Sequence, residues 1–535
     1  MSELPRRVDL LISGGRLVDG TGAQSAAGKV GVLAGRLIVG GIDWAPDAGR
    51  AIDATGQVVA PGFIDLHSHG GLLMLTEPRH EPKVRQGVTT EVIGVDGCGY
   101  APFRHRHDLD AFAELNGGLD GRPADLTFDW DTVASYIGRY DAGQAVNVAV
   151  LIGNSALRIN AIGWDDVRAD ARTIADMLAM LREGMEEGAF GVSSGLDYPP
   201  GSFADTDELA VLTGEAGRLG GFYHTHVRYP LGDRFLDPFR EAIEIGRRGG
   251  GPVHITHFYH RQTYPGTPEQ QLALVDDARA AGLDVTFDTY PYEWASTRLL
   301  IQLPQWVQAG GPKALKERLA DPAIRRRMRA EMDARGAAYA SADGWADVRV
   351  GNFTRPEHRR WESGSLADVM RDTGTNAVDA ICNLLLAEDL RVTQVTTGPW
   401  TDGLRRFLRH PLALIGTDST FLGEKPSPRT YGAYPRVLGQ FVRDEQLLSL
   451  EEAVRRMTGA PAARLGLRER GLLRTGYAAD VVVFDPARVR ANATYEEPRR
   501  HPDGIEHVIV NGVPVVHAGE HTGAAPGRAL RRGRA

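Results

Sequence analysis

Two histidines separated by one residue follow an apolar run near the start of the chain. His67 and His69 come directly after the run FIDL. Because alternate residues of an extended strand point to the same side, both imidazoles can bind one metal ion. One such pair is weak evidence, since most single histidines are ordinary core or surface residues. The pair therefore indicates metal chemistry only if further ligands converge on it.

Further residues of the kinds that bind metals follow other short apolar runs. They are Cys98, His224, His226, His254, His257 and Asp418. If the runs are parallel strands, their C-terminal ends meet at one face and these side chains converge. Regular alternation turns His224 and His254 away from the side of their partners, so both stay outside the expected ligand set. This convergence of strand ends predicts a metal site.

The elements that must position these residues alternate between short strands and amphipathic helices. Segments 169–187 and 206–219 have helical spacing and lie between the apolar runs. The runs are FIDLHSH, TEVIGVDGC, VNVAVLIGN, FGVSSG, GFYHTH, PVHITH, DVTFDTYPY and LALIGTD. Strands that alternate with helices predict a parallel sheet, and this number of strands predicts a closed (β/α)₈ TIM-like barrel.

The two ends of the chain contain β-rich runs broken by glycines, including a hairpin signal at Asn511-Gly512. We expect residues 1–61 and 471–535 to form one accessory small β-sandwich or β-barrel module. The catalytic barrel then occupies residues 62–470. An insertion is expected around residues 300–350, where it could cover the site. The arginine-rich residues 527–535 are expected to be a frayed, solvated end.

Composition limits the class of protein. The chain has 535 residues, 42% of them hydrophobic and 24% charged, with a formal net charge of −8 and two cysteines. These values predict a globular protein that binds a small molecule, with neither nucleic acid nor membrane as a partner. The first residues lack the apolar region of a signal peptide, which favours a cytoplasmic location. The oligomeric state stays open.

Several longer motifs carry a family resemblance. GFIDLHSHGG, GAFGVSSGLDYPPG, HTHVR, DTYPYEWAST, IGTDS and SPRTYGAYPRVLG resemble the D-aminoacylase (N-acyl-D-amino-acid deacylase) family of the amidohydrolase superfamily. The resemblance runs from about residue 8 to about residue 531. It implies zinc-dependent hydrolysis of the acyl amide bond of N-acyl-D-amino acids, which gives a carboxylate and a free D-amino acid.

The resemblance also implies a set of site residues. Cys98, His226 and His257 correspond to the ligands of a tightly held zinc ion, and His67, His69 and Asp418 to those of a second, weaker metal. Asp418 also corresponds to the general base and acid. One thiolate and two imidazoles suit zinc and leave a position for water.

On the substrate side, the resemblance implies that Arg429 grips the α-carboxylate, aided by Tyr290 and Ser296. Three positions depart from the family pattern. Phe258 stands where a lysine commonly follows the metal histidine, Asn154 stands where a histidine commonly follows the glycine after strand 3, and Gly97 stands where an asparagine precedes Cys98. The preference for acyl chain, side chain and stereochemistry therefore stays open.

Two other functions fit parts of the pattern. Hydantoinases and dihydropyrimidinases, which open cyclic amides, bridge two metals with a carboxylated lysine at the end of strand 4. This chain has no lysine between Lys83 and Lys313, and its fourth run ends in Ser-Ser-Gly. Hydrolysis of another linear or cyclic amide remains the alternative. A non-catalytic scaffold would have lost metal ligands, whereas every position is filled here.

Overall fold

The structure is a computed structural model that describes residues 4–229, 234–261, 266–335, 344–397 and 402–533. Eight parallel strands form its centre, and we number them as barrel strands 1 to 8. Their bounds are Phe63–Asp65, Val88–Ile93, Asn147–Val150 with Ile152–Gly153, Gly191–Gly195, Phe222–His226, Val253–Ile255, Val285–Thr289 and Ala413–Ile415.

Neighbouring barrel strands pair in parallel around a ring. The ring closes between strands 8 and 1, where Ser68 and Ser419 form a parallel bridge. There the backbone N–H of Asp418 donates to the carbonyl of His67 at 2.8 Å. The barrel predicted from the eight apolar runs is therefore confirmed.

Helices surround the barrel in the connections between its strands. The helix Ala171–Glu186 shows why such segments are helical: Asp170 and Thr173 form a capping box, and the buried residues recur every three or four positions to face the strands. The other helices between barrel strands are Gly71–Met74, Glu81–Val84, Arg106–Leu115, Val133–Gly138, Asn154–Ala161, Thr206–Arg218, Asp237–Gly249, Pro268–Ala280 and Gly403–Arg409. The helices Arg429–Arg436, Leu450–Met457 and Gly459–Leu465 follow barrel strand 8. Among the described residues, no helix is both long enough and apolar enough to cross a membrane.

An accessory β-module combines both ends of the chain, as predicted. One sheet contains Arg16–Leu17, Ala26–Ala27, Val58–Pro61, Val481–Phe484, Ile505–Val510, Val513–His517 and Glu520–His521. A second sheet contains Arg7–Ser13, Lys29–Leu33, Arg36–Gly40 and Asp47–Asp53. The expected hairpin lies at Asn511 and Gly512, both with positive φ.

The last described residues are not a frayed end, so that prediction is wrong. The side chains of Ala529 and Leu530 are 5% and 3% exposed. The backbone N–H of Leu530 donates to the carbonyl of Val148 at 2.7 Å. The two apolar residues pack against the barrel because their backbone extends the pairing along barrel strand 3.

The segment between barrel strands 7 and 8 is a folded insertion with its own apolar core. It contains the antiparallel strands Trp294–Arg298, Val348–Gly351 and Thr393–Thr397 and the helices Gly311–Ala320, Pro322–Arg335, Leu366–Thr373 and Ala377–Ala387. This insertion extends well beyond the expected residues 300–350. Its strands reach the C-terminal face of the barrel and contribute to the wall of the cleft described below.

Candidate metal centre and substrate cleft

Three carboxylate or imidazole residues at the C-terminal face have a left-handed backbone. Asp96, His257 and Asp418 have φ values of 52°, 38° and 46°. Non-glycine residues adopt this conformation at a cost, and such strain concentrates at functional sites. The turns after strands 2, 6 and 8 thus aim these side chains into the mouth of the barrel.

The first candidate metal position lies between His67, His69, Asp96 and Asp418. Nε2 of His67 is 3.3 Å from Oδ2 of Asp96 and 3.5 Å from Oδ1 of Asp418. Nε2 of His69 is 3.5 Å and 3.4 Å from the same two oxygens. All four residues are buried. Two imidazoles and two carboxylates can hold a divalent metal ion.

The second candidate position lies between Asp96, His226 and His257. Oδ2 of Asp96 is 3.7 Å from Nδ1 of His226 and 3.7 Å from Nε2 of His257. The two ring nitrogens are 2.8 Å apart. Asp96 therefore faces both positions, and its Oδ2 is the one oxygen that approaches all four histidines among the described residues.

Each of the four histidines has a partner for its other ring nitrogen. Nδ1 of His67 is 3.3 Å from Asp288 Oδ2, Nδ1 of His69 is 2.8 Å from Asp120 Oδ1, Nε2 of His226 is 2.9 Å from Asp197 Oδ2, and Nδ1 of His257 is 3.1 Å from Tyr229 Oη. Partners of this kind orient metal-binding imidazoles and fix their tautomer. None of these four partners was predicted from the sequence.

The structure does not bring Cys98 together with the other predicted ligands. Its Sγ is 3.6 Å from the carbonyl oxygen of Asp96 and 3.8 Å from Oδ1 of Asn116. Its side chain packs with Leu119 and Tyr198. Gly97, which has a φ of 72°, lies between the two residues. Asp96 approaches the histidine nitrogens, whereas the described contacts of the Cys98 thiol are to other groups.

Asp96 was not predicted from the sequence although it lies in the same run as Cys98. Gly94 and Gly97 flank it in the run TEVIGVDGC, and both have positive φ. A carboxylate between two glycines at a strand end was the available signal. The family resemblance favoured the thiol because it implies a cysteine ligand.

His224 and His254 lie deeper in the barrel, behind the candidate ligands. Nε2 of His224 is 3.2 Å from the carbonyl oxygen of Leu66. Nε2 of His254 is 3.0 Å from Oδ2 of Asp288. A third group, formed by His67, His224 and Asp288, could also hold an ion. However, the other oxygen of Asp288 accepts a 2.8 Å hydrogen bond from the backbone N–H of His257, so this carboxylate already orients neighbouring residues.

Asp418 and Arg429 form a buried ion pair. Nη2 of Arg429 donates to Oδ2 of Asp418 at 2.8 Å, and Arg429 is 0% exposed. Burial raises the pKa of Asp418, but the charges of Arg429 and His67 lower it to about 2. The guanidinium also donates to the carbonyl oxygens of Trp294 and Ser296 at 3.4 Å and 3.2 Å. Arg429 therefore fixes the position of the Asp418 carboxylate.

An open cleft of about 670 Å³ leads to the candidate metal positions. Asp96 and Asp418 line this cleft, and so do Tyr290 and Ser296, the residues that the family resemblance assigns to the substrate side. Arg429 is not among the described residues that line it.

Comparison with known proteins places this geometry in a family. Residues 50–516 match the amidohydrolase family. The chain belongs to the amidohydrolase family. It is 34% identical over 534 residues to N-acyl-D-glutamate deacylase of Alcaligenes xylosoxydans xylosoxydans, covering 99% of this chain and 98% of that protein. It is 33% identical over 528 residues to D-aminoacylase of the same organism, covering 98% of each.

Solved structures of amidohydrolases agree with this placement. One is an N-acyl-D-glutamate deacylase from Bordetella bronchiseptica, solved as a complex with zinc and a phosphonate that mimics the tetrahedral intermediate. The two structures have a TM-score of 0.82 at 32% sequence identity, and the match covers 98% of this chain and 100% of that one. A D-hydantoinase has a TM-score of 0.56 at 16% identity, covering 98% and 99%, which shows only a shared fold. The resemblance to the D-aminoacylase family is thus confirmed.

The charges at the site of this amidohydrolase fit a metal cation. Burial lowers the pKa of His67, but Asp96, Asp418 and Asp288 raise it to about 10. The buried carboxylates therefore favour positive charge among the histidines, which a divalent ion supplies. Nitrogen and oxygen donors suit zinc as well as other first-row metals.

Proposed function

We propose that this amidohydrolase cleaves the acyl amide bond of N-acyl-D-amino acids, releasing a carboxylate and a free D-amino acid. The observation that carries the proposal is the convergence of four oriented histidines on Asp96 and Asp418 at the floor of a cleft. Full-length similarity to deacylases of N-acyl-D-amino acids supports the choice of substrate.

The proposed metal is zinc, held tightly at one position and more weakly at the other. Asp96, His226 and His257 would hold the tight ion, and His67, His69, Asp96 and Asp418 would hold the weaker one. In this assignment Asp96 replaces Cys98, which was the ligand expected from the family resemblance. A carboxylate that faces both positions can serve both ions, as a single atom of Asp96 approaches every histidine of the two sets.

Asp418 is the proposed general base and acid. Bound zinc would supply Lewis-acid activation of a water molecule at the cleft floor. Asp418 takes a proton from the attacking water and returns it to the amide nitrogen as the C–N bond breaks. Its pairing with Arg429 keeps the carboxylate ionised and ready to accept that proton. Tyr290 and Ser296 are proposed to hold the substrate along the cleft wall.

A substrate panel tests this proposal. Zinc-loaded protein is incubated with N-acetyl and longer N-acyl derivatives of both enantiomers of several amino acids, with hydantoin and dihydrouracil alongside. Amine release measures hydrolysis of the linear amides, and loss of ultraviolet absorbance measures ring opening. We expect hydrolysis of N-acyl-D-amino acids. Activity on the cyclic amides alone would favour the hydantoinase-like alternative and contradict the proposal.

A further inference from the structure

Two buried oxygen atoms of the cleft have no hydrogen-bond partner among the described residues. They are Oδ1 of Asp197 and Oε1 of Gln302, and both residues line the cleft that leads to the candidate metal positions. The two residues are only 3% and 4% exposed. A buried acceptor without a donor is costly, so such an atom commonly marks a place where water, an ion or a ligand binds. The two oxygens therefore indicate that the cleft binds a group that donates hydrogen bonds.

The other polar atom of each side chain is already engaged. Oδ2 of Asp197 is 2.9 Å from Nε2 of His226, and Nε2 of Gln302 donates to Oε1 of Gln394 at 2.9 Å. These contacts hold the two side chains in place and leave one acceptor on each. Asp197 belongs to neither candidate metal position, so an ion bound there does not occupy its second oxygen. Both acceptors are thus positioned before a ligand arrives.

The segments that carry the two acceptors contact each other. The carbonyl oxygen of Leu196, the residue before Asp197, accepts a hydrogen bond from Nε2 of Gln305 at 3.3 Å. Oη of Tyr198, the residue after Asp197, is 2.9 Å from Oγ1 of Thr297 in the insertion. The end of barrel strand 4 and the insertion therefore form one side of the cleft.

Asp197 gives this side of the cleft a negative charge. Arg228 pairs with Glu241 at 3.2 Å and is not among the described residues that line the cleft. Arg261 lines it from the segment after barrel strand 6, with its guanidinium carbon 5.4 Å from the centre of the Tyr259 ring. A cationic donor is therefore attracted to Asp197, and an anionic group is repelled. The other lining residues of the insertion are uncharged: Ala295, Ser296, Thr297, Ile301, Gln394 and Thr396.

We propose that this part of the cleft, which we define by Asp197 and Gln302 and call the acceptor side, binds a basic side chain of the substrate amino acid. An ammonium or guanidinium group carries several N–H donors and a positive charge, so it satisfies both oxygens and offsets the charge of Asp197. This inference rests on the proposed function and narrows the substrate to N-acyl derivatives of basic D-amino acids. Such a specificity differs from the one that the name of the similar N-acyl-D-glutamate deacylase describes.

The test compares substrates that differ only at the end of the side chain. N-acetyl-D-lysine is paired with N-acetyl-D-norleucine, which lacks the amino group, and N-acetyl-D-glutamine is paired with N-acetyl-D-glutamate. Chromatography of the released D-amino acid measures each reaction of the zinc-loaded wild type. We expect kcat/KM to be at least about 30-fold higher for the lysine derivative than for the norleucine derivative, because a buried charged pair commonly contributes that much. Glutamine should be favoured over glutamate, whose carboxylate offers no donor.

Asp197→Asn and Gln302→Met should both reduce the ratio of kcat/KM between the lysine and norleucine derivatives. Asp197→Asn removes the charge and should bring the ratio to within about threefold of one, whereas Gln302→Met removes one acceptor and should reduce it by about 3- to 10-fold. Displacement of His226 or loss of zinc would slow both substrates alike and leave the ratio unchanged, because they share the scissile amide. Gln24→Met changes an exposed residue of the accessory module and is the control, with an unchanged ratio.

Equal kcat/KM for the lysine and norleucine derivatives in the wild type would overturn the inference, and so would a preference for glutamate over glutamine. A ratio that stays high in both Asp197→Asn and Gln302→Met would also overturn it, since the amino group would then be recognised elsewhere. All three results leave the proposed function intact, because N-acyl-D-amino acids are still hydrolysed.

If the wild type hydrolyses no member of the panel, the proposed function fails, and the acceptor side is still tested by isothermal titration with the same pairs. Tighter binding of N-acetyl-D-lysine than of N-acetyl-D-norleucine, lost in Asp197→Asn, supports a site for a basic group. Equal binding of the two compounds to the wild type contradicts it.

Discussion

Asp96 is the residue on which both candidate metal positions depend. Its Oδ2 lies within 3.7 Å of a ring nitrogen of each of four histidines. Cys98, two residues later, faces Asn116 instead. In our proposal this oxygen atom takes the place that the family resemblance assigns to a sulfur atom, which would give the site a harder set of donors.

Asp96→Asn is expected to weaken zinc binding by at least about 100-fold, because the neutral amide removes a charged ligand from both positions. Cys98→Ser, the matched control in the same turn, should keep zinc binding close to that of the wild type. Metal analysis of purified proteins and competition with a chromophoric chelator measure both. Loss of zinc in Cys98→Ser together with full binding in Asp96→Asn would show that Cys98, and not Asp96, is a zinc ligand.

Asp418→Asn is expected to keep the tight zinc ion and to lower turnover by about 10²-fold or more, as expected when a general base is removed. The position proposed for the tight ion lies between Asp96, His226 and His257, so it does not include Asp418. Steady-state kinetics and metal content are measured on the same preparation. Turnover within about threefold of the wild type would show that proton transfer takes place elsewhere.

At the scale of elements, the turn that carries Asp96 is held by the end of barrel strand 4. A Cβ atom added at Gly195 would lie 2.1 Å from the carbonyl oxygen of Asp96 and 2.5 Å from the Tyr198 ring. Because backbone cannot move aside cheaply, only glycine allows the strand and the turn to approach this closely. The placement of Asp96 at the candidate metal positions thus depends on the absence of a side chain at Gly195.

Gly195→Ala is expected to lower the free energy of unfolding by about 1–3 kcal/mol, as overpacking commonly does. It should also weaken zinc binding by about 10-fold, because Asp96 must shift. Chemical denaturation and chelator competition test the two effects. Gly41→Ala is the control, since a Cβ atom there has no described neighbour within 4 Å. Unchanged zinc affinity in Gly195→Ala would mean that the turn adapts without moving Asp96.

At the scale of the whole molecule, a buried polar cluster connects the accessory module to the barrel. Asp480 pairs with Arg470, and the side chains are 5% and 6% exposed. It also accepts hydrogen bonds from the backbone N–H of Asn511 at 2.8 Å and from the side chain of Asn147, the first residue of barrel strand 3, at 3.3 Å. The C-terminal part of the accessory module is thereby joined to barrel strand 3.

Asp480→Asn is expected to lower the free energy of unfolding by about 3 kcal/mol, because Arg470 would keep a buried charge without its counterion. Asp503→Asn removes the partner of Arg490 in a pair whose side chains are 41% and 65% exposed, and it should cost less than about 1 kcal/mol. Urea denaturation measures both variants. Equal, small losses would show that the cluster does not hold the module to the barrel.

The sequence by itself determined the barrel, the accessory module and most of the candidate site. Strand and helix periods are local properties, and residues at the C-terminal ends of parallel strands must share one face. The pattern of residues along the chain therefore suffices to select His67, His69, His226, His257 and Asp418. The family resemblance added Tyr290 and Ser296, which line the cleft.

Only the tertiary structure decided which side chains meet at the site. Asp96 and Cys98 differ by two positions, and the structure places Asp96 next to the ring nitrogens of the histidines and Cys98 next to Asn116. Arg429 follows barrel strand 8 as expected, but it begins a helix, and its guanidinium pairs with Asp418 and with two carbonyl groups. The sign of φ in the turns and the packing of side chains depend on contacts between distant segments, so the pattern of residues along the chain does not determine them.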